Sequence, residues 1–141
     1  MKRTPVALLV TSLGVVAIIG GYAGVQALGA RRLERRLGVS ALTPFFGERI
    51  RRGMLSDEVV AAVPKPDRTE YFRRHDGVLA QRLVYAIPFA RDYHVTVLYA
   101  DSTVTSVEFE DDYLGPLRAI STQEATKQLK PTGDGMITPP R

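Results

Sequence analysis

The stretch YHVTVLYADSTVTSVEFE, residues 93–110, decides the class of fold because apolar and polar residues alternate on both sides of a short turn. In its first half, Val95, Val97 and Tyr99 point to one side and the intervening residues to the other. Alternation with a period of two is typical of a strand with one buried and one wet face. The segment therefore predicts an antiparallel hairpin turning at residues 101–102, with helices packed on the Val95 side.

A second strand-turn-strand pattern precedes this hairpin. Arg68–His75 is a candidate strand, and the Asp-Gly pair at 76–77 is a strong signal for a two-residue turn. Leu79, Leu83 and Tyr85 then recur on one side of the returning strand. Together the two patterns predict an antiparallel sheet of three or four strands.

Two short helices are predicted before the sheet. Residues 46–52 form the first, which ends at Gly53. Ser56 is the expected N-cap of the second, and the carboxylates that follow it favour the helix dipole. Prolines at 64 and 66 end that helix. The predicted fold class is α+β, with two short helices packed on a three- or four-stranded antiparallel sheet and an N-terminal transmembrane helix before them.

The transmembrane prediction rests on an uncharged segment that runs from Pro5 to Ala30. As a helix, residues 6–29 would be about 36 Å long, and a bilayer core is about 30 Å thick. We therefore predict a tail over residues 1–5 and a membrane-crossing helix over residues 6–30. Within it, Gly20 and Gly24 form a GxxxG step, whose small residues let a second helix pack closely.

A cleaved signal peptide is the alternative for the same segment. Lys2 and Arg3 supply a basic start, and the small residues at 25–27 supply a cleavage site. Cleavage there would leave a secreted periplasmic binding or inhibitor module lacking residues 1–27. The length of the apolar run and the arginines that follow it favour a retained anchor instead.

The residues after the apolar segment are basic. Arg31, Arg32, Arg35 and Arg36 are predicted to lie at the membrane surface, within a juxtamembrane linker over residues 31–45. A solvated extension of the helix is the alternative for these arginines. Their count favours a cytoplasmic C-terminal domain by the positive-inside rule.

The C-terminal extension, residues 113–141, has a different character from the sheet-forming part. Ser121 and Glu124 form a capping box, which predicts a short helix to about Lys130. Residues 131–141 are rich in proline and glycine and are predicted to form a flexible tail.

The composition excludes several kinds of chemistry. The chain has 141 residues, a formal net charge of +4 and no cysteine, which rules out disulfides and thiolate metal sites. Motifs for nucleotide phosphates and for a serine nucleophile elbow are missing. The basic residues are too dispersed for a nucleic-acid stripe. We expect no cofactor, no metal, no nucleic acid and no small-molecule substrate, and a protein that is not an enzyme.

One acidic cluster offers a candidate docking patch for a basic partner. It consists of Glu108, Glu110, Asp111 and Asp112, and a solvated sheet edge is the competing interpretation. A small enzyme that uses Glu108 or Glu110 with His94 is a further alternative, because paired carboxylates on one strand face can perform acid–base chemistry.

Two motifs resemble a known family. The segment IRRGMLSDEV, residues 50–59, resembles the I-x-x-G-M-x-x-x-E-V opening of the small outer-membrane lipoprotein A (SmpA/OmlA), or BamE-like, domain. The segment VTVLYADSTV, residues 95–104, resembles its L-x-V-x-F-x-D-G-x-V hairpin, with serine in place of glycine. The resemblance covers about residues 46–110 and places a BamE-like α+β domain over residues 46–112. The family's lipid-anchoring cysteine is missing.

The resemblance implies a non-enzymatic binding or scaffolding role in the cell envelope. With the apolar helix, it predicts a single-pass protein of the bacterial inner membrane with a periplasmic C-terminal domain. Its function would be that of an accessory or scaffold subunit, which binds and stabilises a larger membrane protein complex through its helix and its soluble domain. The expected partners are membrane proteins of that complex and the lipid bilayer.

Overall fold

A computed structural model describes residues 4–109 and 114–129, with side chains from Ile18 onward. The described chain contains four helices and five strands. In chain order they are α1 (Thr4–Leu37), α2 (Leu42–Arg49), α3 (Ser56–Ala62), β1 (Arg68–Arg74), β2 (Leu79–Tyr85), β3 (Tyr93–Ala100), β4 (Thr103–Glu108), β5 (Leu117–Ile120) and α4 (Thr122–Gln128).

The strands form a single antiparallel sheet in the order β4-β3-β2-β1-β5. The prediction of three or four strands is therefore wrong, since β5 adds a fifth strand beside β1, with Tyr71 opposite Ile120. β5 has only four residues and does not alternate clearly, so the sequence pattern alone did not reveal it.

Helix α4, which follows β5 in the chain, begins at the predicted place, where the Glu124 amide donates to Ser121 Oγ at 3.1 Å.

The helices pack on the predicted side of the sheet. Phe46 of α2, Val59 of α3 and Leu33 of α1 are buried in one cluster with the inward side chains of β2 and β3. The Phe46 ring lies 5.1 Å from that of Tyr85, centroid to centroid. The prediction that the helices cover the Val95 side is therefore confirmed.

The opposite face, called here the second face, is not the wet surface that we expected. Leu114 is buried there in a small cluster with Ala80 of β2 and Leu98 of β3. β4 and β5 lie at opposite edges of the sheet, and Leu114, three residues before β5, covers this face over the central strands β2 and β3. A strand pattern cannot reveal this cover, because it depends on the order of strands in the sheet.

Helix α1 differs most from its prediction. It is one continuous helix that passes through Ala30 into the arginines and ends at Leu37, where Gly38 takes a φ of 70°. In the described part of the chain, no helix is both long enough and apolar enough to cross a membrane. The predicted transmembrane helix over residues 6–30, and with it the single-pass location in the bacterial inner membrane, is therefore wrong. In α1 an apolar segment continues without a break into a basic one, and the C-terminal end of the helix packs on the sheet domain through Leu33.

The remaining helix boundaries also shift. α2 begins at Leu42 and ends at Arg49, several residues before its predicted limits, because Ile50 is already extended and buried. In α3, Leu55 takes the N-cap place expected for Ser56, and its amide donates to Glu58 Oε2 at 2.7 Å.

Candidate functional site

The end of α1 is attached closely to the loop between β2 and β3. A Cβ at Gly29 would lie 2.5 Å from Ile87 Cγ2 and 3.0 Å from Ala90 Cβ, so only glycine permits this approach without a shift. One turn earlier, Gln26 Oε1 accepts a hydrogen bond from the Arg91 amide at 3.2 Å. The attachment is therefore both steric and polar.

A salt bridge adds a third attachment point. Arg36 Nη2 donates to Asp67 Oδ2 at 2.9 Å, and the same oxygen accepts from the Ala86 amide at 2.7 Å. The Ala86 hydrogen bond, and after it the one from Arg36, lowers the pKa of the Asp67 carboxyl below its ordinary value of 3.8. Through Asp67, Arg36 thus ties α1 to the segment just before β1 and to the segment just after β2.

The other three predicted membrane-surface arginines have no such role. Arg31, Arg32 and Arg35 are exposed along α1. The structure therefore separates Arg36, which contacts the domain, from the other arginines of the group. Their predicted contact with lipid headgroups depended on a membrane-crossing helix, which the described residues do not contain.

The side of α1 that carries Gly20 and Gly24 is open. In the described part of the chain, a Cβ at either glycine would meet no atom within 4 Å. Gly20 lies nine residues before Gly29, and Gly24 lies nine before Leu33. Nine residues are about two and a half helical turns, so each pair lies on opposite sides of the helix. The predicted helix-packing glycines thus point away from the attached side.

The part of α1 that carries these glycines also exposes large apolar side chains on several sides of the helix. Ile18 is 74% exposed, and four more large apolar residues of α1 are at least 45% exposed. The set comprises Ile18, Ile19, Tyr22, Val25 and Leu28. We call these five residues, with Gly20 and Gly24, the open surface of α1. It contains no charged residue.

Phe89 adds a strained and exposed aromatic residue near the attachment point. Its side chain is 94% exposed and its backbone φ is 62°, in the left-handed region that favours glycine. A non-glycine residue there costs about 1 kcal/mol or more. Phe89 belongs to the same loop as Ile87 and Ala90, the two residues that contact Gly29. Sequence analysis did not single it out, because a lone loop phenylalanine gives no signal.

Only one residue of the predicted acidic docking patch lies in the described part of the chain. Glu108 is half-buried on the second face, opposite Thr96, and its charge reaches Arg74, whose pKa it helps to raise. Glu110, Asp111 and Asp112 lie outside the described residues. The docking patch and the enzyme alternative with His94 therefore stay predictions. Among the described residues, no group of three His, Asp or Glu side chains is arranged to hold a metal ion.

A row of hydrogen-bonded polar side chains runs through the core beneath the helices. The Tyr99 hydroxyl donates to Gln81 Oε1 at 2.6 Å, and Gln81 Nε2 donates to the Tyr71 hydroxyl at 3.3 Å. Burial raises the pKa of Tyr99, so this phenol stays protonated. Since these three polar side chains are hydrogen-bonded to one another, the row is a structural feature of the core.

A cleft at the β1–β5 edge was missed by sequence analysis, because it depends on the unpredicted strand. Its volume is about 370 Å³, and Arg73 of β1 faces Arg118 of β5 across it. The residues that line it are Arg73, Arg74, His75, Pro116, Leu117 and Arg118. Arginines spaced 45 residues apart give no local signal in the sequence.

Comparison with known proteins gives no relative for these features. The chain matches no protein-family model, no curated protein and no solved structure. The resemblance to the BamE-like domain family therefore stays a prediction.

Proposed function

We propose that this protein is a non-enzymatic accessory subunit that binds a larger protein complex through the open surface of α1. The observation that carries the proposal is the exposure of five large apolar side chains on the part of α1 that also carries Gly20 and Gly24, where an added Cβ would meet no atom within 4 Å in the described chain. Large apolar side chains left exposed together on one segment are typical of an interaction site.

The chemistry of the surface indicates an apolar helix as the occupant. Gly20 and Gly24 lie one turn apart on an open side of α1, and without side chains they let a second helix approach closely. Residues 5–30 carry no charged side chain, so they cannot form salt bridges with a charged partner surface. The partner should therefore contribute an uncharged helix with its own large apolar side chains.

The attachment of α1 supports an accessory or scaffolding role. Gly29 and Gln26 fasten the helix to the β2–β3 loop, and Arg36 fastens it to Asp67, just before β1. A partner that binds the open surface would therefore also hold the sheet domain at a defined place. Phe89 is exposed in the same loop and is available for a second contact with that partner.

The test compares two kinds of glycine-to-leucine variant in the source cells. Gly20→Leu with Gly24→Leu adds two large side chains to the glycine side of α1, whereas Gly47→Leu adds the same side chain at an exposed position of α2. The size of the native complex is then measured by gel filtration and native mass spectrometry. We expect the double variant to run as a free chain and the Gly47 variant to stay in the complex.

Two results would count against the proposal. Unchanged complex size in the double variant would exclude the glycine face as the interface. A native species that contains only copies of this chain would show self-association instead of an accessory role.

A further inference from the structure

Two arginines stand directly opposite each other where β5 joins the sheet. Arg73 of β1 and Arg118 of β5 are partners in the antiparallel register, so their side chains leave the same face. Like charges directly opposite each other destabilise a sheet. The pairing is therefore a local conflict that requires a compensating negative charge.

Among the described residues, one carboxylate serves both guanidinium groups. Glu124 Oε1 lies 3.4 Å from Arg73 Nη2 and 3.7 Å from Arg118 Nη2. Arg73 Nη1 is held by Gln128 Oε1 at 3.0 Å. The 3.7 Å separation is too long for a hydrogen bond, so Glu124 leaves the Arg118 donors available. The Arg118 side chain is also 72% exposed.

The rest of the cleft adds positive charge and an apolar floor. Arg74 is already neutralised by Asp76, to which it donates twice, at 2.9 and 2.6 Å. His75 lies on the rim, and Pro116 and Leu117 supply the apolar part. In the described part of the chain, the excess positive charge of the cleft therefore comes from the Arg73–Arg118 pair, whose two guanidinium groups share one carboxylate.

From this arrangement we propose that the cleft between β1 and β5 binds a phosphate-type oxyanion through Arg73 and Arg118. Guanidinium groups present paired N–H donors that match the oxygens of phosphate. An oxyanion between the two arginines would supply the second negative charge that Glu124 cannot. The cleft volume of about 370 Å³ is in the range of small-molecule sites and leaves space beside the anion, so free phosphate and a phosphate ester both fit.

The test is a titration of the full chain with inorganic phosphate, phenyl phosphate and acetate in about 0.1 M sodium chloride, where exposed charges are screened, followed by NMR of arginine side chains. We expect saturable shifts of Arg73 and Arg118 with both phosphates, and weaker binding of acetate. Tighter binding of phenyl phosphate would identify a phosphate ester as the ligand class, and equal binding would identify the free anion.

Two matched variants distinguish binding at a specific site from nonspecific attraction of the anion to a positively charged protein. Arg118→Gln removes one exposed guanidinium of the pair, and Arg31→Gln removes the same charge from exposed α1. Loss of charge-assisted hydrogen bonds predicts about tenfold weaker phosphate binding for Arg118→Gln. Arg31→Gln should change it less than about twofold, because exposed charges are screened. Equal weakening by both variants, or shifts that never saturate, would overturn the proposal. Neither result bears on the open surface of α1.

Discussion

The close approach of α1 to the β2–β3 loop predicts that one substitution has opposite effects at two positions of the same helix. At Gly29, the alanine methyl would enter the space of Ile87 Cγ2, 2.5 Å from the Cβ position, and of Ala90 Cβ at 3.0 Å. Ala90 cannot move its Cβ by rotation, and Ile87 is buried, so the backbones must separate. At Gly24, the same methyl would enter open space.

The magnitude follows from two competing terms. Replacing glycine by alanine inside a helix stabilises it by about 1 kcal/mol at either position. Overpacking at Gly29 costs about 1–3 kcal/mol. Gly29→Ala should therefore lower the free energy of unfolding by about 1 kcal/mol, whereas Gly24→Ala should leave it unchanged or raise it.

Urea unfolding followed by circular dichroism measures the free energies, and hydrogen exchange shows the local effect. The Arg91 amide, which donates to Gln26 Oε1, should exchange faster in Gly29→Ala and at the original rate in Gly24→Ala. If Gly29→Ala is as stable as Gly24→Ala and protects Arg91 equally, the attachment of α1 described here is wrong.

Three further predictions concern the rest of the domain. Leu114→Ala should lower the free energy of unfolding by about 2–4 kcal/mol, because Leu114 is buried on the second face; a loss below about 1 kcal/mol in urea unfolding would contradict that cover. The Ser102 hydroxyl donates to the Gln128 carbonyl at 2.7 Å, so Ser102→Ala should lower the free energy of unfolding by about 1 kcal/mol. Because Ser102 has a φ of 71°, which favours glycine, thermal unfolding should show Ser102→Gly to be more stable than Ser102→Ala. The pKa of Asp67 is lower in the folded chain than its ordinary value of 3.8, so its contribution to stability is present above that value and lost as the pH falls through the folded-state pKa. Stability measured from pH 7 to pH 2 should depend less on pH in Asp67→Asn, and an identical pH dependence would show that the contacts of the Asp67 carboxylate with Ala86 and Arg36 contribute nothing.

Local patterns predicted those parts of the fold that depend on neighbouring residues. The alternation over residues 93–100 gave β3 and its buried side, because period-2 burial is a property of a single strand. The capping box placed the start of α4, because this signal acts within one turn of a helix.

The features that sequence analysis missed depend on contacts between distant segments. β5 is too short to alternate and is defined by its pairing with β1. The cover of the second face depends on the route from β4 to β5, and the Arg73–Arg118 pair depends on the same strand. For the candidate site, Gly20 and Gly24 were predicted from their spacing. Their position opposite the attached side became clear only once Gly29 was seen against Ile87.

Cysteine labelling provides the most direct test of the claim that α1 presents one side to its own domain and the other to a partner. The chain has no cysteine, so a single cysteine at Gly24, Ala27 or Gly47 is the only thiol in each variant. Maleimide labelling rates are then compared between the isolated chain and the native complex. We predict fast labelling of all three in the isolated chain, and protection of positions 24 and 27 but not 47 in the complex. Equal labelling of positions 24 and 47 in the complex would contradict the account.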